Sequence, residues 1–248
     1  MLSLRQRVAL VTGGGRGIGA AIARRLAAEG AEVVITYVRN TDEASRVVDD
    51  IRRAGGKSAM VQVDAADAAA VVRSVEQVAN DFGRIDILVN NAGFMDLSGT
   101  SFADIPLETV QQTIDVNIRA AFLYAQRVSA FMPDGGRIIN IGSCLGKQIP
   151  AAGVTLYGMS KAAIGGLTRG LARELGARRI LVNQISPGPI DTDMNPVDGI
   201  SAEFQRSRTA LGHYGLPSDI ASAVYFLASS QSEYITGADI AVDGGTTA

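Results

Sequence analysis

The chain has few of the residues that build metal centres and disulfide frameworks. Its 248 residues include one cysteine, one histidine and no tryptophan. Cys144 alone cannot form an internal disulfide and suits a reducing cytoplasm. With His213 as the single histidine, we predict no metal site. Cys144 has no histidine near it in sequence, so we do not expect a cysteine nucleophile, and His213 is expected at the mouth of a pocket.

Charge and hydropathy exclude two further classes of protein. The formal net charge of −2 gives no field that would attract nucleic acid or an anionic membrane. The longest uncharged stretches, 148–160 and 220–232, fall short of the roughly 18 or more residues that a membrane-spanning helix needs. Arg5 and Arg7 precede an apolar run that is too short for a secretory signal. A cytoplasmic protein is therefore expected.

What the chain has is a regular alternation of strand and helix patterns. Seven β-branched runs are predicted as strands: 7–12, 32–38, 58–63, 85–90, 137–142, 179–186 and 238–242. Most are apolar at consecutive positions, as strands covered on both faces should be. Apolar residues spaced by four, such as Ile18, Ile22 and Leu26, predict helices between them. The pattern predicts one α/β domain over 1–248, with a Rossmann-type, doubly wound, seven-stranded parallel sheet in three α/β/α layers.

Polar residues end five of these strands. Thr12-Gly13, Asp64, Asn90-Asn91, Ser143 and 186–188 each close an apolar run. Turn residues end strands in any protein, but five together favour a ligand crevice at the carboxyl edge of the sheet. The segment from 186 to about 212, rich in proline, glycine and aspartate over 186–204, is predicted to be a mobile substrate loop.

The glycine-rich stretch "TGGGRGIGAA" (12–21) lies between the first strand and the first helix. Its glycines let the backbone approach a pyrophosphate, whose charge is stabilised by the free amides of the helix start. The relaxed G-x-G-x-x-A pattern is weak by itself, and a glycine turn without a nucleotide is the alternative. The predicted dinucleotide contacts here are Gly13, Gly15, Arg16, Gly17, Ile18 and Gly19.

The end of the second strand indicates which dinucleotide is preferred. NAD-binding folds usually carry an acid about 20 residues after the glycine loop. Here the sequence has Tyr37, Val38, Arg39 and Asn40 instead. Arg39 and Arg16 could bind a 2′-phosphate, which predicts NADP(H); two solvated arginines are the alternative. Tyr37 and Asn40 are further predicted contacts of the cofactor, and Asn40 is also predicted to cap the second helix. Asp64 is expected either to accept from the adenine amine or to cap a helix.

Tyr157 and Lys161 are one helical turn apart and lie on the same face. An ammonium about 4 Å from a phenol contributes roughly 4 kcal/mol at an effective dielectric near 20. We therefore expect Lys161 to lower the pKa of Tyr157 by up to about 3 units, less the opposing effect of desolvation, making it an acid–base. Ser143 would hold the substrate oxygen and Asn117 lies in the preceding helix. Taken alone, Tyr157 and Lys161 could instead be a solvent-exposed helix pair. Taken alone, Asn117 could be a polar helix residue that bonds the backbone.

Taken together, these motifs resemble the short-chain dehydrogenase/reductase family over essentially the whole chain. The matching positions are Thr12-Gly13-x-x-x-Gly17-x-Gly19, Asp64, Asn90-Asn91-Ala92-Gly93, Asn117, Ser143, Tyr157-x-x-x-Lys161, Pro187-Gly188 and Asp243-Gly244-Gly245. The resemblance implies Tyr157 as general acid–base and Ser143 as the residue that orients the carbonyl. It implies that Lys161 also bonds the nicotinamide ribose and that Asn117 holds a water in a proton relay.

The resemblance also implies the remaining contacts. The adenosine ribose would be lined by Asn91, Ala92 and Gly93, and the adenine by Ala65. The nicotinamide carboxamide would contact Ile190 and Thr192, which follow Pro187 and Gly188. The expected substrate walls are Phe94, Met95, Leu145, Gln148, Ile149, Met194 and Tyr214. Small residues at 162, 163, 165 and 166 imply a subunit contact in a homotetramer, with packing on the chain's own sheet as the alternative.

The expected function is an NADP(H)-dependent oxidoreductase that interconverts a ketone and a secondary alcohol, a small-molecule substrate. A 3-oxoacyl-acyl-carrier-protein reductase is the alternative within enzymes, because the layout around 157–176 is similar to that group. A non-catalytic dinucleotide sensor is the alternative from another class, and an epimerase or dehalogenase competes weakly.

Overall fold

The computed structural model describes residues 3–248. Its centre is a seven-stranded, all-parallel sheet in the order β3-β2-β1-β4-β5-β6-β7. The strands are β1 Val8–Val11, β2 Glu32–Tyr37, β3 Ser58–Gln62, β4 Ile87–Asn90, β5 Arg137–Ile141, β6 Leu181–Pro187 and β7 Asp239–Val242. Each overlaps one predicted run, and the predicted doubly wound α/β fold is confirmed.

Helices cover both faces of this sheet. They are α1 Gly17–Ala28, α2 Thr41–Arg53, α3 Ala68–Phe82, α4 Leu107–Ile114, α5 Ala120–Phe131, α6 Thr155–Leu175, α7 Ala202–Ser207 and α8 Pro217–Ala228. One core contains the buried faces of α1, α2 and α8, and the other those of α3, α5 and α6. The chain order reverses between β1 and β4, so a crevice opens there beyond the strand ends.

The strands are apolar at consecutive positions because each of their faces meets a helix layer. In β1, Ala9 and Val11 pack in one core while Leu10 packs in the other. In β5, Ile139 and Ile138 divide between the cores in the same way. The consecutive apolar residues therefore reflect burial of both faces of the strands, as predicted.

The helix starts follow local hydrogen bonding. Asn40 caps α2, since its side chain accepts from the Glu43 amide at 3.2 Å, as the sequence indicates. Asp67, and not Asp64, caps α3. The helix pair α4–α5 is continuous through a π-helical turn, Asp115–Arg119. Such turns occur often at functional sites.

The segment from 186 to 212 is more structured than a plain loop. Its first two residues extend β6, Ile190 is buried, and α7 occupies residues 202–207. Its mobility stays a prediction. No helix formed by the described residues is long and apolar enough to cross a membrane.

Candidate active site

The turn between β1 and α1 can be built only with glycine at several positions. Gly13 and Gly17 have φ of +63° and +52°, the left-handed region that other residues avoid. A Cβ on Gly19 would lie 2.3 Å from the carbonyl oxygen of Gly13, so a side chain there would clash with main chain. The turn therefore brings backbone, and not side chains, to the mouth of the crevice.

This turn presents free amides to the crevice. The cap residue of α1, Arg16, makes no side-chain hydrogen bond to the helix start. Within residues 3–248, no group accepts from the amides of Gly17, Ile18 and Gly19. Uncapped donors at the positive end of a 12-residue helix fit a phosphate group. The loop thus fits the pyrophosphate of a dinucleotide.

Hydrogen bonds from the neighbouring strands hold the turn in place. The hydroxyl of Thr12 accepts from the amides of Asn91 and Ala92, both at 2.9 Å. The Asn91 side chain donates to the carbonyl oxygens of Thr12 and Gly13 at 2.9 and 3.0 Å. Thr36, a residue that the sequence analysis did not select, accepts from the Gly13 amide at 3.1 Å. The structure therefore brings Asn91 and Ala92 directly against the phosphate loop.

The predicted adenosine-side residues lie at the ends of β2 and β3. Arg39 is exposed and makes no ion pair within the described part of the chain. Arg16 is also exposed and pairs with Asp193 at 3.3 Å. Tyr37 lies beside Gly15, its Cβ 3.5 Å from the position of a Cβ there. Asp64 is exposed and accepts from the Ala66 amide at 2.9 Å, while Ala65 is buried.

The other side of the crevice is formed by the segment after β6. The Gly188 amide donates to Val242 at 3.1 Å, and a Cβ on Gly188 would lie 2.6 Å from Cα of Asp243. Thr192 then reaches the phosphate loop, with its Cγ2 3.5 Å from the Cβ position of Gly17. Pro187 and Ile190 are buried at the base of this segment.

Tyr157 and Lys161 lie in the first two turns of α6. The Lys161 ammonium, 4% exposed, donates to the carbonyl oxygen of Ile141 at 2.9 Å. It lies 5.7 Å from the centroid of the Tyr157 ring. The spacing therefore brings the two side chains together, as the helical register predicts, but the lysine's hydrogen bond goes to the end of β5.

The expected lowering of the Tyr157 pKa is wrong for this structure. Burial raises the pKa of Tyr157 to about 12, and the nearby Ser143 hydroxyl opposes this only in part. Burial also lowers the pKa of Lys161 to about 8. The physical reason is desolvation, which disfavours the charged form of both groups. At neutral pH the phenol is therefore neutral and the lysine mostly charged.

Asn117 connects the loop after β4 with α6. It lies in the π-helical turn and is 2% exposed. Its carbonyl oxygen accepts from the Phe94 amide at 2.7 Å, and its NH₂ donates to Phe94 O at 2.8 Å and to Ser160 at 2.9 Å. Ser160 donates in turn to Tyr157 O at 2.7 Å. Asn117 therefore fixes the main chain on both sides of the crevice, beside Gly93 and Lys161.

Ser143 lies two residues beyond β5 and begins a short turn, Cys144–Gly146. Its hydroxyl accepts from the Leu145 amide at 3.1 Å. A Cβ on Gly146 would lie 2.9 Å from the main chain of Lys161, so this turn packs directly on α6. Burial raises the pKa of the Cys144 thiol, which keeps the thiol protonated.

A cavity of about 30 Å³ adjoins Tyr157. Among the described residues that line it, Met95 is the one predicted as a substrate wall. The cavity is also lined by Asp96, Thr100, Ile105, Thr113 and Leu156, which the sequence analysis missed. Leu156 precedes Tyr157 and Asp96 follows Met95, so adjacency to predicted residues was the available signal.

The other predicted walls differ in exposure. Phe94 and Leu145 are half-buried, and Tyr214 is buried with its hydroxyl 3.5 Å from Asn195. Gln148, Ile149 and Met194 are exposed. His213 is exposed and does not line the cavity. In the part of the chain that the structure describes, no three potential ligands are grouped to hold a metal ion.

Comparison with known proteins identifies the family to which this chain belongs. A family model described as enoyl-(acyl-carrier-protein) reductase matches residues 13–247. The chain belongs to the short-chain dehydrogenase/reductase family of oxidoreductases.

Three relatives are informative. A short-chain dehydrogenase from Burkholderia cenocepacia, solved in complex with NADP, is 47% identical with a TM-score of 0.97, over 99% of this chain and 100% of that one. A 3-oxoacyl-[acyl-carrier-protein] reductase from Synechocystis is 40% identical over 99% of this chain and 98% of that protein. A cyclic-di-GMP-binding biofilm dispersal mediator from Escherichia coli is 38% identical, over 96% of each chain.

Proposed function

We propose that this chain is an NADP(H)-dependent oxidoreductase that interconverts a ketone and a secondary alcohol. The observation that carries the proposal is the meeting of Ser143, Tyr157 and Lys161 beside a phosphate loop with free helix amides. Phosphate-binding geometry with an acid–base pair suits a nicotinamide dinucleotide and a carbonyl group. The NADP-bound relative from Burkholderia cenocepacia supports the cofactor.

The protein's part in the chemistry follows from its own side chains. NADPH, when bound, supplies the hydride. Ser143 would hold the ketone oxygen by hydrogen bonding, and Tyr157 would donate its hydroxyl proton to that oxygen. Because the pKa of Tyr157 is raised to about 12, the phenol is protonated at neutral pH and suits the direction of reduction. Lys161, charged below pH 8, would stabilise the phenolate that remains.

The cofactor would span the crevice from Arg39 to Ile190. Its phosphates would be held by Gly13, Gly15, Gly17, Ile18 and Gly19. Its adenosine half would be held by Arg16, Tyr37, Arg39, Asn40, Asp64 and Ala65. The remainder of the cofactor would be lined by Asn91, Ala92, Gly93, Pro187, Gly188, Ile190 and Thr192.

We also propose a cytoplasmic homotetramer. The exposure of Ala162, Ala163 and Gly166 on α6 supports a subunit contact there.

A 3-oxoacyl-(acyl-carrier-protein) reductase is the second candidate, supported by the Synechocystis relative. A non-catalytic dinucleotide-binding regulator is the third, and the E. coli mediator is the observation in its favour. The two differ in chemistry: a reductase needs the tyrosine proton, whereas a regulator needs only the phosphate loop.

One assay separates the three candidates. We would follow NADPH oxidation by purified protein with a panel of simple ketones and with acetoacetyl thioesters, and measure NADPH binding in parallel. Turnover of ketones supports the main proposal, and turnover confined to thioesters supports the second. NADPH binding without turnover of any substrate supports the regulator, and absence of NADPH binding contradicts both reductases.

A further inference from the structure

A groove of about 390 Å³ lies between α1 and α2 and opens onto the phosphate loop. Gly15, Arg16 and Gly17 line one end of it, so the groove is continuous with the proposed phosphate site. Two more arginines, Arg24 from α1 and Arg46 from α2, line its walls. Arg46 was not singled out by the sequence analysis.

The two wall arginines differ in what they bind. Arg24 donates from Nε and Nη2 to one carboxylate oxygen of Asp50, at 3.1 and 2.7 Å. Arg46 is exposed, and none of the residues described accepts a hydrogen bond from it or pairs with it. The guanidinium of Arg46 is therefore available to a ligand, whereas that of Arg24 is ion-paired with Asp50.

We propose that Arg46 is a further residue recognising the 2′-phosphate, acting with Arg16 and Arg39; this rests on the proposed NADP(H) function. Arg46 carries a charge that the protein does not neutralise, and it faces the groove that begins at Arg16. Because Arg46 lines the same groove as Arg16, a phosphate dianion bound at Arg16 would be attracted to it through a partly screened field.

Two carboxylates act against this attraction. Glu43 lines the same groove, and Asp193 pairs with Arg16 at 3.3 Å. Glu43 contributes its main-chain amide to the cap of α2, so its side chain can be neutralised without losing that bond. Arg46 and Glu43 therefore form a pair of opposite charges whose removal should change the phosphate affinity in opposite directions.

The test compares NADPH and NADH affinities of the full-length protein, measured by titration calorimetry at low salt. Arg46→Gln is expected to weaken NADPH binding about fivefold and leave NADH binding unchanged. Glu43→Gln is expected to strengthen NADPH binding two- to threefold. Arg24→Gln is the matched control, expected to leave the ratio of the two affinities as in the wild type. Thermal melting of each variant reports whether the fold is retained.

The outcomes separate the inference from the function beneath it. Failure of the wild-type protein to bind NADPH contradicts the proposed function and the inference together. Normal NADPH preference in the wild type with an unchanged ratio in Arg46→Gln overturns the inference alone. An equal loss of preference in Arg24→Gln also overturns it, because the effect would then be a general field and not a contact of Arg46.

Discussion

The two ends of the crevice are built in opposite ways. At the end that we propose as reactive, Asn117, Ser143 and Lys161 are buried, and each is hydrogen-bonded to main chain. At the end that we propose for the adenosine, Arg16 and Arg39 are exposed, and Arg16 has only a surface ion pair. Burial fixes geometry and shifts pKa values, whereas exposed charges act through a screened field.

This difference indicates which property of the protein a substitution at each end should change. Loss of the Tyr157 hydroxyl at the reactive end should remove chemistry and leave the affinity for the cofactor intact. Loss of an exposed charge at the other end should change the affinity for one cofactor over another and leave chemistry intact.

The largest effect is expected for Tyr157→Phe. Removal of the proton donor should lower kcat for ketone reduction about 10³-fold, while the Kd for NADPH changes less than about twofold. Steady-state kinetics and cofactor titration measure the two quantities. Tyr234→Phe, which removes a hydroxyl from a fully exposed tyrosine, is the matched control. Retained activity in Tyr157→Phe would contradict the assignment.

Arg39→Asp should act at the other end. It removes a donor to the 2′-phosphate and adds a like charge, so the NADPH-to-NADH preference should fall roughly 100-fold. The ratio of kcat/KM for the two cofactors measures it. Arg5→Asp makes the same charge change at an exposed position and should leave the ratio unaltered. An unchanged ratio in Arg39→Asp would refute NADP(H) recognition by this residue.

Lys161 should make the stability of the protein depend on pH. Its pKa is about 8 folded and 10.5 unfolded, so between these values the unfolded state binds the additional proton. The free energy of unfolding of the wild type, relative to Lys161→Met, should therefore rise by up to about 3 kcal/mol from pH 8 to 10.5. Denaturant titrations across this range measure it, and a flat or falling difference would show that Lys161 is not desolvated.

The smallest effect is expected for Asp193→Asn. The exposed Arg16–Asp193 pair is weak, and its loss should free Arg16 for the 2′-phosphate and tighten NADPH binding two- to fivefold. The same change in an Arg16→Gln background should have no effect. An equal tightening in both backgrounds would place the action of Asp193 elsewhere.

Sequence patterns predicted the fold well because two-sided burial leaves consecutive apolar residues in every strand. They also brought Tyr157 and Lys161 together, because helical spacing is a local property. They failed on the Tyr157 pKa, since desolvation depends on how α6 packs against β5. They missed Thr36 and Arg46 for the same reason: hydrogen bonds and grooves between elements arise from tertiary packing.

The most direct test of the account is a spectroscopic titration of the Tyr157 phenol in the cofactor-free protein. Subtracting the pH-dependent ultraviolet absorbance of Tyr157→Phe from that of the wild type isolates the phenolate of this residue. The account predicts no Tyr157 phenolate below about pH 11, because burial raises its pKa to about 12. Appearance of that phenolate near neutral pH would contradict the claim that Tyr157 enters the reaction as a protonated acid.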